Sequence, residues 1–261
     1  MTFTSLRYAV RDKIATLAIH RPQVKNAIDR RTMEEMGVAA ELARRDRELR
    51  ALILTGSGRE AFISGGDLRY FQSLLTDRQV QGMLSMMGRV LMRIERLPVP
   101  TIAAINGYAI GGGTEVALAC DLRVAATEAS FMFRQVDMGL MTAWGGGQRL
   151  QRLVGPARAS RLLLLGETVS AQEALELGLV DRVVSRSRLM SEARALARRI
   201  AAKPPLAIRA MKRALVEGRN MSFQRGLDLE GKLFRSLWRS KDHDEAVAAF
   251  VEKRRPRFIG Q

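Results

Sequence analysis

Gly107-Tyr108-Ala109-Ile110-Gly111-Gly112-Gly113-Thr114-Glu115 decides how this chain is read. The apolar run before it, Thr101-Ile102-Ala103-Ala104-Ile105, has the length and content of a buried strand. The segment after it, Glu115-Val116-Ala117-Leu118-Ala119-Cys120, is a good helix former. Three glycines at a strand-to-helix junction leave backbone N–H groups uncovered, facing whatever lies before the helix. The helix dipole adds partial positive charge at the same point. Glu115, one turn in, is placed to handle a proton. This is the layout of an oxyanion site with a base beside it. Plain turn material is the competing reading, and the stretch alone does not separate the two. A dinucleotide fingerprint fails: the spacing is not G-x-G-x-x-G, and Asp121 follows too soon to meet a ribose.

A second glycine-rich junction separates them. Ala51-Leu52-Ile53-Leu54-Thr55 is another apolar run of strand length, closed by Gly56-Ser57-Gly58. Soon after, Phe62-Ile63-Ser64-Gly65-Gly66-Asp67-Leu68 puts small residues where a backbone must approach a ligand. Two such loops, each after a strand, can each lend one N–H to a single carbonyl oxygen. Taken with Asn106, the two segments resemble the paired signature of the enoyl-CoA hydratase/isomerase (crotonase) family.

The resemblance covers nearly the whole chain. His20-Arg21-Pro22-Gln23-Val24-Lys25-Asn26-Ala27 is similar to the family's R-P-x-x-x-N-A loop. Gly145-Gly146-Gly147-Gln148-Arg149-Leu150 matches its G-G-x-Q-R-L turn, and Ser170-Ala171-Gln172-Glu173-Ala174 with Gly178-Leu179-Val180 its A-x-E-A-x-x-x-G-L-V segment. Phe250-Val251-Glu252-Lys253-Arg254-Arg255-Pro256-Arg257-Phe258 resembles its closing F-x-E-K-R-x-P-x-F. Each match is weak alone; in order they are specific.

The resemblance implies an α/β fold, a crotonase-like spiral of ββα units carrying the acyl-CoA site over residues 1–200. Residues 201–261 would form a C-terminal helical region that packs neighbouring subunits into a homotrimer or a hexamer built as a dimer of trimers. It implies no cofactor, the coenzyme A thioester being the substrate. The oxyanion donors would be the N–H groups of Ser64 and Gly112, with the Ser64 side chain incidental. Coenzyme A would be held by Val24, Lys25 and Ala27, by the backbone of Ser64, Gly65, Gly66, Asp67 and Leu68, and by Phe250 and Lys253 of the last helix. Lys25 is the expected phosphate contact. The segment Phe71 to Met92 would line the acyl pocket.

Hydratases of this family set two glutamates about a water. Glu115 matches the first. Alignment on Phe131 and the 145–150 turn puts Gln135 where the second belongs. A glutamine hydrogen-bonds a water but does not exchange a proton at neutral pH. If Phe133, Gln135 and Asp137 were extended, all three would share a face, but Asp137 before Met138-Gly139 is read as a turn residue. The family's dienoyl-CoA isomerase needs acids at positions 135 and 143, and its dehalogenase an aspartate near 143, which is alanine here. Trp144 before the double glycine, with no acid at 135, resembles the branch that decarboxylates ethylmalonyl-CoA, where an apolar wall replaces the second glutamate. Three readings follow: an enoyl-CoA hydratase-like lyase; a decarboxylase of a malonyl-type CoA or a single-carboxylate isomerase; and an inactive acyl-CoA-binding protein, which would not need both oxyanion loops.

Composition agrees. The 261 residues, 47% hydrophobic and 27% charged, suffice for one ordinary core with a helical appendage. No apolar run reaches membrane-spanning length and Met1-Thr2-Phe3-Thr4 opens no signal peptide, so a cytoplasmic, non-membrane protein is expected. Cys120 is the sole cysteine and is read as a buried structural thiol. His20 and His243, the only histidines, suggest neither a serine triad nor a metal cluster. The net charge of +16 is arginine interleaved with acids on helix faces, and 5% aromatic content offers little stacking surface for nucleic acid. A basic surface still attracts the phosphates of coenzyme A.

Periodicity predicts strands over 13–20, 51–55, 101–105, 121–126 and 130–133. It predicts helices over 32–48, before Pro98, and then over 156–165, 171–177, 187–202, 204–217, 223–238 and 244–251.

Overall fold

The structure, a computed structural model, describes residues 2–261. Its first two strands, β1 (Leu6–Arg11) and β2 (Ile14–Ile19), turn about Asp12 and Lys13 at φ 52° and 63°. Two successive positive φ values match the twist of a tight hairpin. Sequence reading found only β2, because β1 exposes most of its residues and carries arginine at positions 7 and 11.

The chain then enters α1 (Arg30–Arg45), where Asp29 caps the first turn by accepting from Thr32 N at 2.8 Å. Met33, Met36, Ala40 and Ala43 give it a buried face. From here a unit recurs: a long buried strand, a three-residue strand turned away from it, then helix. The first comprises β3 (Ala51–Gly56), β4 (Ala61–Ile63), α2 (Leu68–Gln72) and α3 (Asp77–Glu95). The second comprises β5 (Thr101–Ile105), β6 (Tyr108–Ile110) and α4 (Gly112–Leu118). The third opens with β7 (Leu122–Ala126) and β8 (Ser130–Met132) and continues through α5 (Gly146–Val154) and α6 (Pro156–Leu165). β9 (Thr168–Ser170), α7 (Ala171–Glu176), β10 (Arg182–Val184) and α8 (Arg186–Ala201) close the spiral. Three helices follow: α9 (Pro205–Gly218), α10 (Phe223–Trp238) and α11 (Lys241–Val251).

The long strands and the three-residue β10 form one sheet in the order β1-β2-β3-β5-β7-β10, parallel from β2 onward; the other short strands form a second, β4-β6-β8-β9. Each turn of the spiral therefore adds one parallel strand to each sheet. The expected ββα architecture is present.

The main core lies under one face of the large sheet, and Leu189, Ala193 and Ala197 of α8 cover the other against Ile53, Ile102 and Val124. Strands buried on both faces read as unbroken apolar runs, which is why β3, β5 and β7 were legible. Some of the arginines sit in intrahelical pairs such as Arg30–Glu34, Arg44–Glu41 and Arg213–Glu217. Cys120 is buried, and burial pushes its thiol up to about 12, as suits an inert packing residue. His20 meets Arg7 at 2.8 Å, and the His243 ring lies 4.8 Å from that of Trp238; both are structural neighbours. No helix among the described residues is long and apolar enough to cross a membrane.

Candidate active site

Glu115 sits in the first turn of α4 and is 3% exposed. Its Oε2 accepts two backbone N–H groups, from Trp144 at 2.8 Å and Gly146 at 2.7 Å. Its Oε1 accepts from the Gln135 side-chain amide at 3.2 Å. Burial pushes the carboxyl above the ordinary glutamate range, and the N–H groups of Gly146 and Trp144, followed by Gln135, pull it partly back. A carboxylate so placed is poised nearer neutrality, where a general acid–base works best. The Gln135 Oε1 is buried and finds no hydrogen-bond partner among the described residues. It is an acceptor aimed beside the Glu115 carboxylate.

The two glycine loops meet in front of Glu115. Gly65 adopts φ 109°, and a Cβ built on it would stand 3.7 Å from the N atom of Gly112. A Cβ on Gly66 would fall 2.1 Å from the Phe71 ring, and one on Gly112 2.1 Å from the Trp144 ring. Neither position admits a side chain, so both backbones face the cavity bare.

One expected donor is corrected. The N–H of Ser64 is spent on the carbonyl of Lys25 at 3.1 Å, and its hydroxyl makes only a long contact with Val24 O at 3.4 Å. The N–H groups of Gly66 and Gly112 have no acceptor among the described residues, and both residues line the cavity. The pair of unspent N–H groups at the cavity is therefore that of Gly66 and Gly112. The chain opposite, at Lys25, is what occupies Ser64, and no local pattern reveals it.

The cavity encloses about 370 Å³. Phe71, Leu74, Val80, Met83 and Leu84 form one wall, and Leu140, Met141, Ala143 and Trp144 the other. Its polar side chains are Glu115 and Gln135. Of the segment expected to line an acyl pocket, the part from Phe71 to Leu84 contributes to this cavity; Met92 at its far end is exposed. Trp144 is both wall and core: it is buried, and its indole N–H reaches Met83 Sδ at 3.4 Å.

Other expected contacts separate from the site. Asp67 is spent on structure: it pairs with Arg21 at 3.0 Å and caps α2 by accepting from Arg69 N at 3.1 Å. Lys25 pairs with Glu60 at 2.6 Å, both side chains solvated. Val24, Ala27, Leu68, Phe250 and Lys253 do not line the cavity; Leu68, Phe250 and Lys253 are exposed. Asp137 pairs with Arg134 at 2.9 Å in a 3-10 turn over Val136–Met138, which confirms the turn reading and removes the extended one. What sequence reading missed is the role of the Trp144 and Gly146 N–H groups toward Glu115; the double glycine beside them was the available signal.

A sequence model described as enoyl-CoA hydratase/isomerase matches residues 10–261. A crotonyl-CoA hydratase of Syntrophomonas wolfei is 36% identical over 261 residues, covering 100% of each chain. A short-chain-enoyl-CoA hydratase of Clostridium acetobutylicum is 36% identical over 244 residues, 93% of each. Among solved structures, an enoyl-CoA hydratase from Bacillus anthracis superposes with a TM-score of 0.95 at 35% identity, covering 99% of this chain and 100% of that one. One from Mycobacterium smegmatis gives 0.94 at 31% identity, covering 98% and 99%.

Proposed function

The chain belongs to the enoyl-CoA hydratase/isomerase family of enzymes, and we propose that it adds water to a 2-enoyl-CoA thioester through one carboxylate instead of two. The observation that carries this reading is a buried carboxylate, Glu115, facing the two unspent N–H groups of Gly66 and Gly112 across one apolar cavity. The thioester carbonyl sits between those donors, which gain strength as negative charge moves onto its oxygen. Water lies between Glu115 and the free Gln135 Oε1. Glu115 takes one water proton as the hydroxyl oxygen bonds to the β-carbon and the double-bond electrons pass into the enolate. The same carboxyl then returns that proton to the α-carbon. Gln135 orients the water and exchanges no proton.

Coenzyme A would lie along the loop at 24–27 and the backbone of residues 64–68, with Lys25 leaving Glu60 to meet a phosphate. Phe250 and Lys253 would act from a neighbouring copy, with 201–261 as the assembly region. No cofactor beyond the thioester is called for.

A second reading, decarboxylation of a malonyl-type CoA, is favoured by Gln135 at the second glutamate's place and by the buried Trp144 wall. Purified protein assayed with crotonyl-CoA and ethylmalonyl-CoA separates them. Loss of the conjugated thioester absorbance supports hydration, whereas carbon dioxide release without hydration replaces it with the second reading. Replacing Glu115 with Gln should abolish the first reaction and spare the second.

A further inference from the structure

Arg149 does not line the cavity, yet it grips the backbone turn whose N–H groups hold Glu115. Its Nη1 donates to the Trp144 carbonyl at 2.9 Å, while the N–H of the same residue donates to Glu115 Oε2 at 2.8 Å. The next donor to that oxygen, Gly146 N–H, lies just beyond Gly145. Gly145 adopts φ 92°, and a Cβ there would stand 2.7 Å from Arg149 Nη1, so the guanidinium and the turn fit only without a side chain. The other edge of the guanidinium meets Glu95 Oε2 through Nε at 3.3 Å and Nη2 at 2.9 Å. Glu95 Oε1 in turn accepts from Arg219 at 2.9 Å. The Arg149 and Glu95 side chains are 10% and 18% exposed, so solvent screens the pair little. Donors on two edges of a rigid plane serve this geometry, and a lysine point charge does not.

We infer that Arg149 is a positioning residue: by fixing the Trp144 carbonyl it aims the Trp144 and Gly146 N–H groups at Glu115 and so holds the carboxylate in its charged, catalytically oriented form. The inference rests on Glu115 being the base proposed above. No competing charge is in contact with the carboxylate. α4 packs on β4, β6 and α5. β4 and β6 carry no charged side chain, only the titratable Tyr108, and those of α5 are Arg149, tied to Glu95, and Arg152, tied to Asn220. Across the cavity Arg134 and Asp137 pair with each other.

The test reads ionisation without turnover. Trp144 and Trp238 are the only tryptophans. In a Trp238→Phe background, Trp144 emission is titrated against pH, with Glu115→Gln as control, alone and with Arg149→Lys or Glu95→Gln. The expected result is a transition that Glu115→Gln removes and Arg149→Lys moves upward by about half a pH unit or more. Glu95→Gln, which keeps the guanidinium but unties it, moves it the same way by less. With crotonyl-CoA, the rising limb of kcat should follow the emission midpoint while KM changes less than about twofold. A midpoint unmoved in both variants, or a transition that survives Glu115→Gln, overturns the role. A shifted midpoint in a protein that turns over no crotonyl-CoA leaves the positioning intact and removes the hydratase reading instead.

Discussion

Glu115 must be ionised to take a proton from water, yet it is buried, and burial favours its neutral form. Two consequences follow for Glu115→Gln. Activity with crotonyl-CoA should fall by about two to four orders of magnitude, the usual worth of a positioned acid–base. Stability should respond oppositely at neutral pH. The folded state keeps the Glu115 proton to higher pH than the unfolded chain does, so the native protein loses stability as pH rises from the ordinary glutamate value to the raised one. The glutamine variant has no proton to release. Melting scans at pH 4 and pH 8 should show the variant gaining on the native protein at the higher pH; a difference that does not change would refute a raised Glu115. A second contrast tests the reassigned donor. Gly66→Pro deletes the N–H itself and should cost roughly two to three orders of magnitude in kcat. Ser64→Ala should stay within a few-fold of native, since its hydroxyl makes only a long contact with Val24 O. An undiminished kcat for Gly66→Pro in steady-state assays would remove Gly66 as a donor. Glu115 and Gly112 were legible because their chemistry is local. Gly66 was named only as a coenzyme A contact, because which N–H is free depends on a carbonyl some forty residues earlier.

Most elements of ordinary length announced themselves, β1 excepted, and α10 runs over 223–238 as its pattern predicts. The three-residue strands β4 and β6 stayed silent because alternation over three residues carries no period. α5 hid behind Gly145-Gly146-Gly147, glycines that look like turn material yet open a helix whose first N–H, that of Gly146, holds Glu115. What positions the short elements is a pair of asparagines. Asn26, at φ 59°, donates to Ser57 O and Ala61 O at 2.9 and 2.8 Å and accepts from Arg21 N at 3.1 Å. Asn106 donates to the same Ala61 carbonyl at 3.1 Å. Asn26 thus pins the loop at 22–27 to the start of β4, and Asn tolerates the left-handed backbone better than most residues. Asn26→Ala removes three hydrogen bonds and puts an alanine in left-handed backbone, at a cost of about 2–4 kcal/mol. Urea denaturation measures it. A loss below about 0.5 kcal/mol would mean that the loop is held elsewhere.

At the scale of the molecule, what the isolated chain leaves uncovered is one face of α10. Phe223, Leu227, Phe234 and Trp238 are all at least half exposed. At 100° per residue their spacings of four, seven and four place them within a narrow stripe. A continuous apolar stripe of this kind marks an interaction surface. Met211 and Leu215 on α9, which packs against α10, extend it, and Phe250 and Val251 on α11 are also exposed. The sequence revealed α10 as a helix but not which side its own chain would leave bare, because that depends on where α9 docks. The occupant most consistent with the expected trimer or hexamer is a second copy. Sedimentation at micromolar concentration should then give three or six times the chain mass. Leu227→Glu with Phe234→Asp should reduce it toward the single chain and leave far-ultraviolet dichroism unchanged, since neither side chain belongs to the core. If Phe250 and Lys253 complete the coenzyme A site of a neighbour, the dissociated variant should also show a raised KM for crotonyl-CoA with a smaller change in kcat, because Glu115, Gly66 and Gly112 all come from one chain. A native protein that sediments as a monomer would sink the assembly. A trimer whose dissociation leaves KM unchanged would keep the assembly and remove only the neighbour's share in binding.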